Sequence, residues 1–319
     1  MGLGTKLAIF GRRLKSASLR RMGRNIQAIH QETGKNRLFL FCDMIWCTLH
    51  YGVGYLDYHV FGFACNRGPN RKTFMTMNHN VALARMVNDA ACYPLLQDKF
   101  QFLQRWEEFL GRRWLDLRQA GPEDLAQFCR ECGAVFIKPH ADFGGKGVAR
   151  LEPGPETDFE ELHRSCVESG RYLVEEAIVQ HPEVSALCPQ SVNTLRVVTL
   201  WAEGAAKFVY ALLRVGSGEG NVDNISSGGM YTWVGDDGIL DFPAFCDRTG
   251  LYYDSHPVTG AVFRGYCLPF FREAVALCCR AAQVEPRLGY VGWDVAITPD
   301  GPVLVEGNHL PGYDMAQNA

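Results

Sequence analysis

The stretch Gly292–Asn308, GWDVAITPDGPVLVEGN, reads as two apolar strands joined by a tight turn. Pro299 suits the second position of a type I turn, and Gly301 suits the left-handed residue that completes a three-residue hairpin loop. With the three residues from Pro299 to Gly301 as the loop, Thr298 lies opposite Pro302. The stretch therefore predicts an antiparallel β-hairpin.

The same register brings an acidic pair to one face of the hairpin. Counting back from the loop places Asp294 opposite Glu306, and Asn308 joins them because alternate strand residues share a face. Two like charges directly opposite each other are unfavourable, and a hard divalent cation offsets them. Oxygen ligands suit Mg²⁺, which takes its remaining ligands from nucleotide phosphates and water. These three residues are therefore predicted metal ligands, with a solvated hairpin and a chance acidic pair as the alternative.

The composition is that of an ordinary globular protein. The 319 residues are 21% charged and 47% apolar, and the net charge of -3 gives no reason to expect nucleic acid as a partner. The twelve cysteines follow no disulfide framework, and neither a secretory signal nor an apolar run of about 18 residues is present. We therefore expect reduced thiols, a cytoplasmic location and no transmembrane helix.

The first 37 residues are strongly basic, with nine lysines or arginines against one acid, Glu32. Apolar residues are interspersed among these cations. A basic amphipathic helix can lie on an anionic membrane surface or against a partner protein. The segment therefore predicts peripheral membrane attachment or docking, and a basic helix packed on its own domain is the alternative.

The rest of the chain mixes helices and strands without a regular βαβ rhythm, which favours separate α+β lobes over one doubly wound sheet. Apolar residues at helical spacing predict helices over 98–119, 122–132, 159–168 and 268–283. Apolar β-rich runs predict strands over 134–138, 148–151, 172–175, 195–201 and 208–215. Residues 38–97 are rich in aromatic and turn residues and indicate no chemical role.

A glycine-rich segment, KPHADFGGKGV, begins at Lys138. Its glycines let backbone N–H groups approach phosphate oxygens, and its second lysine adds a point charge. These residues are Gly144, Gly145, Lys146 and Gly147. The segment is not a Walker A loop, which would need glycine in place of His140 and Ser or Thr in place of the last glycine. It fits a loop folded over a triphosphate, and a glycine-rich hairpin turn is the alternative.

A second candidate nucleotide contact follows the strand predicted at 172–175. Glu175, Glu176, Ala177 and Ile178 leave that strand as two acids and two apolar residues, a crossover that can bind adenine through backbone groups. Glu183, eight residues past the first acid, could reach a ribose hydroxyl. When this segment is considered alone, a strand end with solvated acids is favoured over a nucleotide-binding crossover.

Two arginines, Arg196 and Arg214, lie within apolar strands. A buried arginine needs anionic partners, and its planar fork suits carboxylate or phosphate. Each is therefore a candidate catalytic cation, with a structural ion pair as the alternative. The polar loop 221–229 suits a lid or a substrate loop. Its candidate substrate-contacting residues are Asn224, Ser226, Gly228 and Gly229.

Taken in order over about 98–314, these segments resemble the ATP-grasp superfamily. The resemblance implies that Lys99 and Lys138 are the two phosphate-binding lysines, Gly144–Gly147 the flexible loop, Glu175–Ile178 the adenine hinge, Arg196 the arginine near the transferred phosphate, and Asp294, Glu306 and Asn308 the Mg²⁺ triad. A closer similarity is to the sugar-transfer-associated branch. It rests on Ser191–Arg196, Arg214–Gly216, Val222–Asn224, Gly228–Gly229, Glu306–Asn308 and Pro311–Gly312.

The resemblance implies an α+β ATP-grasp fold over 98–319, in which two α+β lobes grip ATP, preceded by a mostly helical region over 1–97. It implies an ATP- and Mg²⁺-dependent carboxylate–amine ligase that forms an acyl phosphate and joins a small-molecule carboxylate to an amine-bearing, sugar-linked acceptor. The branch is named for its association with polysaccharide synthesis.

Two alternatives to the ligase remain open. Residue types alone allow any phosphoryl transfer, so a small-molecule kinase is one of them. The other is a non-enzymatic nucleotide-binding adaptor that docks in a glycan-assembly complex through residues 1–37.

Overall fold

The computed structural model of the chain describes residues 19–139, 147–218 and 228–317. The α-helices within these ranges are α1 Leu19–Thr33, α2 Arg37–Tyr51, α3 Tyr55–Val60, α4 Met77–Val87, α5 Pro94–Gln97, α6 Lys99–Arg105, α7 Pro122–Cys132, α8 Phe159–Glu168, α9 Pro182–Ser185 and α10 Phe271–Val284. The strands are β1 Trp114–Asp116, β2 Val135–Lys138, β3 Ala149–Leu151, β4 Leu173–Glu176, β5 Leu195–Ala202, β6 Ala205–Val215, β7 Met230–Val234, β8 Ala244–Cys246, β9 Leu251–Tyr253, β10 Tyr290–Thr298 and β11 Gly301–Asn308.

The strands form two antiparallel sheets, each with its own helices. The smaller sheet has the order β1-β4-β2-β3 and packs against α7 and α8 through a small apolar core that includes Leu125, Val135 and Cys166. The larger sheet has the order β11-β10-β5-β6-β7-β8-β9. This arrangement confirms the predicted α+β class with two lobes.

The larger sheet is apolar on both faces, but only one face carries ionic groups. Val197 and Val291 share a core with residues of α10 such as Ala274. Because alternate strand residues point to opposite faces, their neighbours Arg196 and Asp294 fall on the other side of the sheet. That second face therefore holds the charged residues of the sheet, and the N-terminal helices pack beside them.

Helices build the N-terminal region, as predicted. The side chain of Asn36 accepts hydrogen bonds from the backbone N–H groups of Leu38 (2.8 Å) and Phe39 (3.3 Å), which caps the start of α2. Gly52 ends the same helix in the left-handed conformation, with φ of 73°. In α1, Ile29 is buried in the core of the region. From residue 19 onward, the basic segment is thus a helix packed on its own domain.

The N-terminal helices are bonded to the last residues described. The side chain of Asn80 on α4 donates to the Pro311 carbonyl at 2.9 Å, and the Tyr290 hydroxyl donates to Asn80 at 3.1 Å. The side chain of Gln317 donates to the Met75 carbonyl at 2.9 Å. These bonds fix the helical region against the larger sheet, and the domain boundary at residue 98 stays a prediction.

The hairpin predicted at 292–308 forms, with a different turn. Thr298 pairs with Gly301, so the loop has two residues and the predicted pairing of Thr298 with Pro302 is wrong. A β-bulge then shifts the register between Asp294 and Val295, and the predicted pairing of Asp294 with Glu306 is confirmed. The shorter loop and the bulge each move the register by one residue, in opposite senses.

The single helix predicted over 98–119 is wrong. Helix α6 ends at Arg105, and β1 then adds to the edge of the smaller sheet beside β4. Gly111 separates the two elements with φ of 56°, and a Cβ at this position would lie 2.3 Å from a methyl carbon of Val303. Only glycine fits such a bend pressed against another strand.

The other elements lie within a few residues of their predicted bounds. The helices at Pro122–Cys132 and Phe159–Glu168 coincide with the predicted ones. Helix α10 begins at Phe271, three residues later than predicted, and β6 begins at Ala205, three residues earlier. Among the described residues, no helix is long and apolar enough to cross a membrane.

Candidate active site

Asp294 is the best-paired carboxylate on the charged face of the larger sheet. It is 2% exposed and accepts bonds from Arg196, through Nε and through Nη2 at 2.9 Å, and from Nη1 of Arg214 at 2.9 Å. Burial opposes ionisation of this carboxyl, but the charge of Arg196 and then that of Arg214 outweigh it. The pKa of Asp294 is therefore held well below its usual range.

Glu306 pairs with Asp294 across the hairpin. The residue is exposed on the edge strand, but its carboxyl group lies in a densely packed part of the protein. This burial and then the negative charge of Asp294 raise the pKa of Glu306 to about 7. Two carboxyl groups that retain a shared proton near pH 7 carry closely spaced negative charge. A cation can bind there in place of the proton.

Asn308 supplies the third group of the predicted triad. Its Nδ2 atom is buried without a hydrogen-bond partner among the described residues, which is unusual for a polar atom. Nowhere in the described ranges do three or more His, Cys, Asp or Glu residues lie close enough to hold a metal ion, so a site here depends on this amide. Two carboxylates and an amide are oxygen donors of the kind that fits Mg²⁺.

Glu175 joins the two sheets. It is 3% exposed and pairs with Nη2 of Arg112 at 2.6 Å and with Nζ of Lys138. Burial opposes its ionisation, but the charges of Arg112 and then Lys138 lower the pKa of Glu175 to about 2. Arg112 also donates to the backbone carbonyls of Leu304 and Val305 at the bulge of β11. The smaller sheet is thereby bonded to the strand that carries Glu306.

The sequence reasoning missed Arg112. Its partners lie 63 and 192 residues away, at Glu175 and Leu304, so no local spacing indicates the contact. One signal was present, because two consecutive arginines immediately precede β1. Arg113 pairs with Glu176 at 3.1 Å on the surface, whereas Arg112 is buried.

Lys99 is the first residue of α6, and Lys138 is the last residue of β2, which precedes the glycine loop. The Lys99 ammonium group donates to the Pro139 carbonyl at 3.0 Å, one residue past β2. Gly147 has φ of 73°. Gly144, Gly145 and Lys146 lie outside the described residues. The structure thus brings both predicted phosphate-binding lysines to the end of β2, and their role stays a prediction.

The predicted adenine hinge follows β4. The backbone N–H of Ala177 donates to the Ala134 carbonyl at 2.9 Å, and Ile178 lies next to it, half-buried. Glu183 is exposed on α9, where its carbonyl accepts a bond from the hydroxyl of Tyr266. The structure places the hinge beside the buried Glu175 and sets Glu183 apart on a helix.

Of the predicted substrate loop, Asn224 and Ser226 lie outside the described residues. Gly228 has φ of 101°, and a Cβ there would lie 2.5 Å from the guanidinium carbon of Arg248. Its carbonyl accepts a bond from the Cys246 thiol at 3.5 Å. Gly229 directly precedes β7, the strand next to Arg214. The described end of the loop, Gly229, therefore lies next to the strand that borders Arg214.

A family model described as sugar-transfer associated ATP-grasp matches residues 78–319. No curated protein matches the chain.

Similar solved structures include three ligases or synthetases. The ATP-grasp ligase PsnB, complexed with minimal precursor, Mg and ADP, is 17% identical, over 71% of this chain and 54% of that one, with a TM-score of 0.41. The ADP complex of PurK, N5-carboxyaminoimidazole ribonucleotide synthetase, is 14% identical over 70% and 50%, with a TM-score of 0.40. D-alanyl-alanine synthetase A from Vibrio cholerae is 13% identical over 70% and 60%, with a TM-score of 0.41.

This chain spans about half the length of the first of these solved structures. Similarities of this degree say nothing about its own substrates. The family match, by contrast, covers most of the chain and includes both sheets and all the charged residues described above. The chain belongs to the sugar-transfer associated ATP-grasp family.

Proposed function

We propose that this protein is an ATP- and Mg²⁺-dependent carboxylate–amine ligase. One observation carries the proposal: Arg196, Arg214, Asp294 and Glu306 meet on a single face of the larger sheet. Because the raised pKa of Glu306 keeps part of this carboxyl group protonated near pH 7, the two arginines provide positive charge beyond what Asp294 needs. Such a surplus suits a group that gains negative charge during reaction, as a phosphoryl group does.

In the proposed reaction, an oxygen of the substrate carboxylate attacks the γ-phosphorus of ATP. The bond from that phosphorus to the bridging oxygen breaks, ADP leaves, and an acyl phosphate forms. The amine nitrogen then attacks the acyl carbon, inorganic phosphate leaves, and the nitrogen loses a proton. Arg196 and Arg214 would turn from Asp294 to the transferred phosphate. Their contribution is positioning and charge stabilisation.

Lys99, Lys138 and the glycine loop from Gly144 to Gly147 would hold the phosphates, and the Glu175–Ile178 hinge and Glu183 would bind the nucleoside. Asp294, Glu306 and Asn308 would hold Mg²⁺, which when bound neutralises phosphate charge. Both oxygens of Asp294 already accept bonds from Arg196. Metal binding and the release of the arginines toward phosphate are therefore coupled in this proposal.

The family association supports a role in polysaccharide or glycoconjugate biosynthesis, with a sugar-linked acceptor. The loop from Gly216 to Gly229, with Asn224 and Ser226, would select the acid and the acceptor. The nearness of Gly228 to the charged face supports this assignment.

Hydroxylamine trapping tests the proposal. The full chain is incubated with ATP, Mg²⁺ and a panel of amino acids and uronic-acid sugars, with hydroxylamine as the amine. A hydroxamate that depends on ATP is the expected product, and Glu306→Gln should abolish it. A stable phosphorylated alcohol instead would identify a small-molecule kinase. Nucleotide binding without any turnover across the panel would identify a non-enzymatic adaptor.

We further propose that residues 1–37 and the adjoining helix α2 dock on an anionic lipid surface. The outer side of α2 exposes large apolar side chains: Leu38 is 70% exposed, Trp46 47% and Leu49 41%. On the opposite side of the same helix, Leu40 and Met44 are buried. An apolar helix face beside a strongly basic segment fits an interfacial helix.

Cations border this exposed face. Arg37 begins α2 and is exposed, and the guanidinium of Arg67 lies 5.2 Å from the centre of the Phe39 ring. Trp46→Ser in the full chain should weaken binding to vesicles containing phosphatidylserine, and salt should weaken it further. Val258→Ser, exposed in the other half of the molecule, is the matched control. Equal binding to neutral vesicles, or dimerisation that depends on Trp46, would refute the lipid surface.

A further inference from the structure

Gly216 directly follows β6, two residues beyond Arg214, and buried side chains contact it on three sides. Its backbone N–H donates to Oδ1 of Asn193 at 3.3 Å, and its carbonyl accepts a bond from Nε2 of His256 at 2.9 Å. A Cβ at this position would lie 2.2 Å from Oγ of Ser191, so only glycine fits there. These three contacts, the Gly216 anchor, fix the backbone at the end of β6.

His256 is 1% exposed, and its contacts define one neutral tautomer. Its Nδ1 atom accepts bonds from the backbone N–H groups of Val258 at 3.3 Å and Thr259 at 3.2 Å. Because Nδ1 is an acceptor, the ring proton is on Nε2, which donates a hydrogen bond to the Gly216 carbonyl. The imidazole thus joins the turn at 256–260 to the end of β6 without any charge.

Asn193 supplies the other hydrogen bond of the anchor and is fully buried. Its Nδ2 atom donates to the carbonyls of Val184 at 2.9 Å and Cys188 at 3.1 Å, so both amide protons are used. The carbonyl of the next residue, Thr194, accepts a bond from the backbone N–H of Arg214 at 2.8 Å. Hydrogen bonds in such a water-excluded setting are strong, and leaving one unmade is costly.

The anchor lies where the regular pairing of β6 stops. Pairing of β6 with β5 ends at Leu213, and pairing with β7 ends at Val215. Strand ends open locally more easily than strand centres, and Arg214 is at such an end. Its side chain bonds Asp294 at 2.9 Å and is proposed to contact the transferred phosphate. A displacement of about 1 Å at a group of this kind can lower a rate by about 10²-fold.

We propose that His256, together with Asn193, is a positioning residue that keeps Arg214 directed at the transferred phosphate. His256 lies 40 residues past Gly216, outside every segment on which the family resemblance rests. The assignment rests on the proposed ligase function, because that function gives the arginine its role. If His256 were only a structural residue, it would stabilise the turn at 256–260 and have no specific effect on phosphate binding.

Two substitutions separate the two nitrogens of the imidazole. The side-chain oxygen of asparagine is as many bonds from Cβ as Nδ1 of histidine, so His256→Asn keeps the acceptor for the turn and loses the donor to Gly216. The side-chain nitrogen of glutamine is as many bonds from Cβ as Nε2 of histidine, so His256→Gln keeps the donor and loses the acceptor. Thr259→Val removes a bond from the same turn to the Leu187 carbonyl (2.8 Å) and is the matched control.

Binding of AMPPNP and of ADP to the full chain, each with Mg²⁺, reports on the position of Arg214, because only AMPPNP carries a γ-phosphoryl group. His256→Asn should weaken AMPPNP binding by about fivefold, the effect of one lost hydrogen bond, and leave ADP binding unchanged. His256→Gln and Thr259→Val should keep the wild-type ratio of the two affinities. In an Arg214→Gln background, His256→Asn should have no further effect, since it acts through the arginine.

Three results would overturn the proposal. They are an equal change of the affinity ratio in both His256 variants, no change in either, and a loss that persists in the Arg214→Gln background. If His256→Asn does not fold, Gly216→Ala tests the anchor through packing. Its methyl group should press against Ser191 and weaken AMPPNP binding, and an added Ser191→Gly should restore that binding. Failure of this restoration would also count against the anchor.

Hydrogen exchange separates this proposal from the ligase. Amides of residues 213–218 should exchange faster in His256→Asn than in wild type or His256→Gln, whatever reaction the protein catalyses. Faster exchange without hydroxamate formation would leave the anchor in place and remove the ligase. Hydroxamate formation with unchanged exchange would do the reverse.

Discussion

Asp294 and Asp247 lie on the same side of one sheet, and their surroundings have opposite effects on their charge. Two arginines hold Asp294, and its pKa falls in spite of deep burial. Burial and then the negative charge of Asp314 act on Asp247, and its pKa rises to about 6. The fold stabilises the ionised form of Asp294 and destabilises the ionised form of Asp247. The same sheet thus carries one carboxyl group whose charge the fold compensates and another, next to β8, whose charge it does not.

The largest expected loss of stability comes from removing the charge of Asp294, which the two arginines compensate. Asp294→Asn should destabilise the protein by about 3–5 kcal/mol, because Arg196 and Arg214 would remain buried without their shared anion. Urea unfolding at pH 7 measures the change, with Asp254→Asn as the control on an exposed aspartate. A loss below about 1 kcal/mol would mean that the arginines find other partners, and the contrast with Asp247 would disappear.

Glu175 is a second buried carboxylate whose charge is compensated by cations, so it extends the comparison with Asp247. Its folded-state pKa of about 2 lies below the ordinary 4.5, so its contribution is present above pH 4.5 and is lost as pH falls toward 2. The shift corresponds to about 3 kcal/mol. Glu175→Gln should lower stability at pH 7 by about that amount and flatten the pH dependence between 4.5 and 2. If wild type and variant lose stability in parallel over that range, the pairing with Arg112 and Lys138 is not what stabilises this carboxylate.

The smallest expected change in stability is a gain, and it comes from removing the charge of Asp247. The folded-state pKa of Asp247 is raised, so the stability that goes with its protonated form is present below pH 3.8 and is lost as pH rises through about 6. Asp247→Asn removes that loss and should stabilise the protein by about 1–2 kcal/mol at pH 8, with no gain at pH 3.5. Thermal unfolding at the two pH values checks this. A variant less stable than wild type at pH 8 would show that the folded state stabilises the ionised carboxylate, contrary to the direction of this pKa shift.

The hairpin shows how a sequence prediction can reach the right pair through the wrong turn. Pro299 and Gly301 suggested a three-residue loop, which pairs Asp294 with Glu306 by simple counting. The actual loop is one residue shorter, and the bulge at Val305 restores the same pairing. Turn chemistry alone could not distinguish the two, because a bulge leaves no clear trace in a run of apolar residues.

Long-range pairs were beyond the reach of local patterns. Residues 98–119 have helical spacing, but tertiary packing of Gly111 against Val303 and pairing of β1 with β4 override it. No local motif marks Arg112 or Asp57, since their partners are far away in the chain. The order of helices and strands thus predicted α+β lobes, turn chemistry predicted the acidic hairpin, and the resemblance implied two lobes. The groups that join the lobes became visible only in the structure.

The bond between Tyr313 and Asp57 spans 256 residues, and the bond between Asn80 and Pro311 spans 231. During synthesis, the first helices leave the ribosome long before these partners do. Closing contacts of such separation is slow, and the apolar side chains of the early helices stay uncovered meanwhile. The nascent N-terminal region is therefore an expected client of chaperones. For the same reason, damage to residues 311–313 should be felt first in α3 and α4, which precede them by more than 200 residues.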